Sequence, residues 1–313
     1  MPKRRIALVE VGPRDGLQNQ RRVLSTEIKL AMIGHLMDAG VKRLEVASFV
    51  HPGRVPQMAD AEAVVAGLPD APGVQYIGLV LNRRGLDRAL ATRTGGARGV
   101  DQVGAVAIAS DTFATKNQGQ TADESVAVAV DIVGAARARG LSAQVTLSAV
   151  CGCPFEGPVD AARVVDMARR VAEAEPAEIA LADTIGVGVP AQVADLVGRV
   201  REAVGPIPLR GHFHDTRNTG IANVWAAVEA GVDAVDAALG GLGGCPFAPR
   251  ATGNVASEDV VYLLDRSGVA TGVDLDALIA ANAWMQDHLG APLPSRVARA
   301  GGFPRPKNDA DAA

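Results

Sequence analysis

Short runs of β-branched and other apolar residues recur along the chain at intervals of roughly thirty residues, each followed by a longer stretch with helical periodicity. Eight runs predict strands: Ile6 to Glu10, Arg43 to Ala47, Gln75 to Val80, Gln102 to Ile108, Ala143 to Ala149, Glu178 to Ala182, Pro208 to His214 and Ala234 to Leu239. Between them the apolar positions repeat every three to four residues, as in Thr26 to Asp38, Asp123 to Arg139, Asp160 to Ala174, Ala191 to Val204 and Ile221 to Ala230. Gly40, Gly140 and Gly231 follow three of these stretches, where a left-handed helix cap favours a residue without Cβ.

Repeated βα units predict a parallel sheet. An open sheet of eight strands would need a reversal of strand order that nothing in the pattern signals, so the fold expected is a (β/α)8 TIM barrel. The barrel is assigned to residues 1–268. Residues 269–313, with one helical pattern from Asp274 to His288 and a Pro-, Gly- and Arg-containing end, read as a helical extension and tail packed on it.

Composition narrows the function. At 313 residues the chain could hold two domains or one enlarged barrel. Hydrophobic residues reach 48% but aromatic ones only 3%, so small aliphatic side chains are expected to fill the barrel and its helix interfaces. Lys and Arg number 31 against 35 Asp and Glu, a balance that argues against nucleic acid as partner. No apolar run approaches the roughly 18 residues that span a bilayer, and the apolar run near the N-terminus is broken by Glu10, so neither a membrane anchor nor an export signal is expected. Three cysteines cannot form a disulfide framework, and the cytoplasm is the expected compartment.

In such a barrel chemistry collects at the C-terminal ends of the strands, and reactive residues gather there. His212 and His214 are two apart on a strand, which puts both imidazoles on one face. Asp15, just after the first strand, is a natural third ligand, and an amide such as Asn254 could be a fourth. This set has no thiolate and suits Mg²⁺ or Mn²⁺ with positions left open for substrate. Pro-x-Asp-Gly around Asp15 is also ordinary turn chemistry. Glu45 lies inside a strand, where a buried carboxylate needs a partner; Arg14 or a metal-bound water fits. Asp183 at a strand end could cap the next helix or act as general base. Cys245 follows a glycine run that reads as a mobile loop carrying a thiol for proton transfer; a phosphate cradle is the competing reading. Cys151 and Cys153 read as small buried residues. His35, His51 and His288 do not enter the catalytic set.

With these residues assembled, the chain resembles the 3-hydroxy-3-methylglutaryl-CoA lyase family of metal-dependent, pyruvate-carboxylase-like barrels. The likeness rests on Val9 to Asn19, Ser48-Phe49-Val50, Val55 to Met58, Asp183 to Gly188, His212 to Thr216, Gly241 to Pro246, Gly253 to Ala256 and Glu258-Asp259. It implies that Asp15, His212, His214 and Asn254 hold the metal and that Arg14, Glu45, Asp183, His212 and Cys245 are catalytic. The implied reaction cleaves a 3-hydroxy-3-methyl acyl-CoA to acetyl-CoA and a keto acid. Asp183, or His212 with it, would take the hydroxyl proton, Arg14 would stabilise the enolate, Cys245 would protonate it, and Glu45 would orient Arg14 or the metal shell. The resemblance also implies an acyl-CoA substrate, a homo-oligomer such as a dimer, and a place in leucine degradation.

The sequence departs from the family pattern in places. Arg217-Asn218-Thr219 stand where Tyr-Gly-Gln is usual, Phe247 where Tyr is common, Arg21 where Lys is common, and Thr252 where Ser precedes Gly-Asn. These changes bear on substrate choice, with citramalyl-CoA or a longer-branched 3-hydroxyglutaryl-CoA as alternatives. A condensing synthase of the same superfamily is disfavoured by the Gly-Gly-Cys-Pro loop, and a non-catalytic binding barrel by the complete set of reactive residues.

Overall fold

Eight strands pair in parallel in sequence order, and the first closes onto the last. They are β1 (Ala7–Glu10), β2 (Arg43–Ser48), β3 (Gln75–Leu79), β4 (Gln102–Ile108), β5 (Ser142–Ser148), β6 (Ile179–Asp183), β7 (Leu209–Phe213) and β8 (Ala234–Ala237). The structure is a computed structural model that describes residues 4–244 and 253–304. The expected TIM barrel is therefore present, with every strand where the apolar runs placed it. The largest offset is at the end of β8, which stops at Ala237 because Leu239–Gly241 turn into a short 3₁₀ segment.

Helices form the outer layer: α1 (Thr26–Asp38), α2 (Ala61–Ala66), α3 (Arg83–Ala91), α4 (Asp111–Gln118), α5 (Ala122–Arg137), α6 (Ala161–Ala172), α7 (Pro190–Val204), α8 (Gly220–Ala230) and α9 (Ser257–Arg266). Beyond them α10 (Leu275–Leu289) packs on α1, and α11 (Arg296–Ala300) packs on α9. Local chemistry sets several starts. The Ser25 hydroxyl accepts from the Ile28 amide at the head of α1, and Thr121 and Glu124 form a reciprocal capping box at the head of α5. Met32, Ile33 and Leu36 of α1 are buried in the same apolar cluster as Leu278, Ala281 and Met285 of α10, which is how the C-terminal extension joins the barrel.

Paired residues in a parallel ladder share a face, so the register can be followed around the barrel. Val9 pairs with Arg43 and with Asp236, Ala180 with Arg210, and Ala182 with His212. These residues point inward, as do Gln102, beside Ser142, and Gln144, beside Gly104. The other parity of two strands is wholly aliphatic: Val103, Ala105 and Ala107 of β4 and Ala143, Val145 and Leu147 of β5 are buried against the helices. Small aliphatics share the inward parity as expected, with Val9, Ile77, Ala180 and Ala182 among them. Beside them the interior also holds Gln102, Gln144, Arg210 and Asp236, all buried, as a polar plug beneath the strand ends.

Candidate active site and metal centre

Directly after β1 the chain winds into a tight π-helical turn, Gly12–Gly16. The Val11 carbonyl accepts from the amides of Arg14 (3.2 Å), Asp15 (2.7 Å) and Gly16 (3.1 Å). Pro13 has no amide to satisfy and its fixed φ suits the first turn. The turn holds Arg14 and Asp15 over the barrel mouth, with side chains only 12% and 14% exposed. Arg14 donates Nη1 to Asp15 Oδ1 at 2.6 Å and Nε to Glu45 Oε1. Glu45 therefore has Arg14 as its partner, one of the two expected from the sequence. Burial works against the Arg14 charge, but Glu45 and Asp15 outweigh it and raise its pKa above the usual guanidinium value. Burial likewise opposes the Asp15 carboxylate. Arg14, the two histidines and a hydrogen bond from Asn254 prevail and hold it at about 2.

Asp15, His212 and His214 each bring one ligand atom to a common point, all within 4.8 Å of one another. His214 Nε2 lies 3.9 Å from Asp15 Oδ2. Asn254 pairs with His214 in an isolated antiparallel bridge, donates Nδ2 to Asp15 Oδ2 at 2.8 Å and to the Leu242 carbonyl at 3.0 Å, and is 3% exposed. Its Oδ1 is buried with no hydrogen-bond partner among the described residues. An acceptor stranded beside a carboxylate and two imidazoles is what a hard divalent ion would satisfy, so the residues present fit such an ion. The glycine run packs closely here: Gly243 has φ +137°, and a Cβ on it would stand 2.7 Å from Asn254 Nδ2.

The residue behind His212 lies outside the set expected from the sequence. Asp236 on β8 puts Oδ2 2.9 Å from His212 Nδ1, so only Nε2 of that imidazole is left for the site. Burial disfavours the His212 cation, but the Asp236 hydrogen bond and charge raise its pKa overall. Burial also opposes ionised Asp236, and Arg210 and His212 overcome it, lowering its pKa. The signal that could have found it is an acid inside the apolar run Ala234-Val235-Asp236-Ala237, the same signal that marks Glu45.

Asp183 lies elsewhere. It pairs with Phe213, on the face opposite to Ala182 and His212, and is fully buried. Its oxygens accept from the amides of Val187 (3.0 Å) and Gly188 (2.8 Å), stapling the loop before α7. Gly188 permits this approach, since a Cβ there would come within 3.0 Å of Asp183 Oδ2. Burial raises the Asp183 pKa, with the two amides opposing. Cys245 lies outside the described residues, as do Phe247 and Thr252. Arg217 donates to the carbonyls of Ile185 (3.1 Å) and Gly186 (3.0 Å), so this departure ties two strand-end loops together. Cys151 and Cys153 are buried and unbridged, with Cys153 Sγ accepting from the Ser110 hydroxyl. His35 and His288 stack on Trp284.

A cavity of about 1170 Å³ opens over these groups. One wall is polar, with Arg14, Asp15, Glu45, His212, His214 and Asp236; another is apolar, with Leu79, Val106, Ile108 and Phe113. Exposed Arg54, Arg84 and Lys116 stand among its lining residues. Among the described residues no helix is long and apolar enough to cross a membrane.

The HMGL-like family matches residues 5–285. An (R)-citramalyl-CoA lyase from Chloroflexus aurantiacus is 42% identical over 306 residues, covering 95% of each chain. A 3-hydroxy-3-isohexenylglutaryl-CoA/hydroxymethylglutaryl-CoA lyase from Pseudomonas aeruginosa is 40% identical over 300 residues, covering 96% of this chain and 98% of its own. The crystal structure of a hydroxymethylglutaryl-CoA lyase from Acinetobacter baumannii, in complex with coenzyme A and 3-methylmalate, superposes with a TM-score of 0.90 at 36% identity, covering 97% and 98% of the two chains. The chain belongs to the HMGL-like family and, with it, to the carbon–carbon lyases.

Proposed function

We propose that this protein cleaves 3-hydroxy-3-methylglutaryl-CoA to acetyl-CoA and acetoacetate, with Mg²⁺ or Mn²⁺ held by Asp15, His212, His214 and Asn254. The observation that carries this reading is the convergence of three ligand atoms within 4.8 Å beside the Arg14–Glu45 pair. When bound, the ion supplies Lewis acidity that orients the substrate oxygens and eases loss of the hydroxyl proton.

The residues divide the remaining work. His212 has a single nitrogen facing the site, which cannot both bind the ion and accept a proton; we assign it to the ion. Asp183 is turned toward the helix layer and serves as a positioning residue for the end of β6. Glu45 is then the acid of the polar wall left to take the hydroxyl proton. The C3–O bond becomes a carbonyl, the C2–C3 bond breaks, and its electron pair moves into the thioester enolate. Arg14, a permanent cation held over the mouth, stabilises that charge. The Cys245 thiol delivers the proton to C2. Arg54, Arg84 and Lys116 suit the phosphates of a coenzyme A chain. The free thiols of Cys151 and Cys153 support a cytoplasmic setting, and leucine degradation is the corresponding pathway assignment.

The citramalyl-CoA lyase relative at 42% identity favours a second substrate, citramalyl-CoA. Both substrates release acetyl-CoA, so the second product separates them. Incubating the Mg²⁺-loaded enzyme with each thioester and measuring acetoacetate and pyruvate should give the higher kcat/KM for acetoacetate formation. A preference for pyruvate formation would replace the first substrate by the second, and release of neither product would defeat both.

A further inference from the structure

Charges of alternating sign, half-buried at Arg43 and buried above it, run up the inside of the barrel beneath His212. Arg43 holds Glu178 through two hydrogen bonds of 2.9 and 3.0 Å. Arg210 is 1% exposed and places Nε 3.3 Å from both Glu178 Oε1 and Asp236 Oδ1. Asp236 Oδ2 then meets His212 Nδ1 at 2.9 Å. Buried ion pairs are weak sources of stability compared with apolar residues of the same volume, so packing alone does not account for this arrangement. Its upper end touches the site.

We propose that Asp236, anchored by Arg210, is a positioning residue that keeps the His212 proton on Nδ1 and leaves the Nε2 lone pair facing the cavity. A carboxylate only accepts hydrogen bonds, so Nδ1 must donate to it, and the neutral imidazole then carries no proton on Nε2. Arg210 Nε stands in ion-pair contact with the other oxygen of Asp236, without a hydrogen bond between them, so its positive charge anchors the carboxylate. The inference rests on reading His212 as a metal ligand, because an Nε2 that carries a proton cannot bind an ion.

Asp236→Asn tests this without a change of size. The Asn amide oxygen will face the Arg210 cation, which repels the NH₂ and leaves it facing His212 Nδ1. That nitrogen must then accept, and the proton moves to Nε2. Nitrogen-15 NMR of the five histidines, in metal-free protein at a pH where they are neutral, reads the tautomer directly. Wild type is expected to show Nδ1–H at His212 and Asp236→Asn to show Nε2–H, with Mn²⁺ affinity falling by about 10- to 100-fold. Nε2–H in wild type overturns the proposal even if the variant fails to fold, and so does an unchanged tautomer in a folded variant. Should wild type release no acetyl-CoA while the tautomer switches and Mn²⁺ binding weakens, the substrate assignment fails and this inference stands.

Discussion

Asn254 donates a 2.8 Å hydrogen bond to Asp15 across 239 positions of sequence, joining the turn after β1 to the segment that follows β8. A barrel closes its first strand on its last, so residues from the two ends of the fold can share one site. Replacing Asn254 by Ala removes both this bond and the stranded Oδ1. Mn²⁺ binding, followed by electron paramagnetic resonance, should weaken by about tenfold or more with the fold intact by circular dichroism. Unchanged affinity would remove Asn254 from the ligand set.

Arg14 faces both Asp15 and Glu45, so its charge and its shape can be tested separately. Arg14→Lys keeps the cation but loses the planar fork that spans two carboxylates. Its kcat should fall by about 10²- to 10³-fold, the range for loss of a transition-state donor, while Mn²⁺ still binds. Arg14→Ala should in addition lower unfolding free energy by about 3–5 kcal/mol, because Glu45 is left buried without its partner. Normal turnover in Arg14→Lys would refute the enolate role.

The stability of the protein should depend on pH through two buried acids, Glu10 and Glu258, that are not among the proposed metal ligands. Burial pushes Glu10 from an ordinary 4.5 up to about 8, against the opposing hydrogen bonds from Ser257, Leu239 and Gly12. Burial likewise pushes Glu258 to about 7. The folded state holds these protons more tightly than the unfolded chain, so the stabilisation is complete below pH 4.5 and is lost as pH rises through 7 to 8. Each tenfold difference in proton affinity between the two states is worth roughly 1.4 kcal/mol, so the loss attributable to Glu10 is a few kcal/mol. Glu10→Gln should flatten the trend, since an amide can accept from Gly12 and Leu239 and donate to Ser257. Urea midpoints at pH 6 and pH 9 check this; a wild-type midpoint that rises with pH would reverse the sign and refute it.

Asp183 staples two loop amides, so Asp183→Ala should leave both unpaired, the Gly188 amide fully buried and the Val187 amide half-buried. Each such amide costs about 1–3 kcal/mol. Denaturant unfolding should therefore show a clear loss of stability, and an unchanged midpoint would contradict the stapling role.

The strands are legible in the sequence because β-branched runs at regular spacing leave little alternative, and so is the convergence of His212 and His214, because His-x-His has a fixed face on a strand. The helices α2 and α11 carry six and five residues, too few for periodicity to stand out. The orientation of Asp183 depends on strand parity carried around the barrel from neighbouring strands, which its own sequence position does not contain. Asp236 escapes for a different reason. An acid in an apolar strand stands out equally at Glu45, but an aliphatic interior offers Asp236 no partner, whereas the actual floor is built from Arg210, Gln102 and Gln144.

The central claim is that the ion bound by Asp15, His212 and His214 serves carbon–carbon cleavage. Acetyl-CoA release from 3-hydroxy-3-methylglutaryl-CoA by metal-stripped protein, before and after addition of Mg²⁺, tests it most directly. The account predicts no release from the stripped protein and full turnover once the ion is restored. Equal release with and without the ion, or none when the ion is bound, would contradict it.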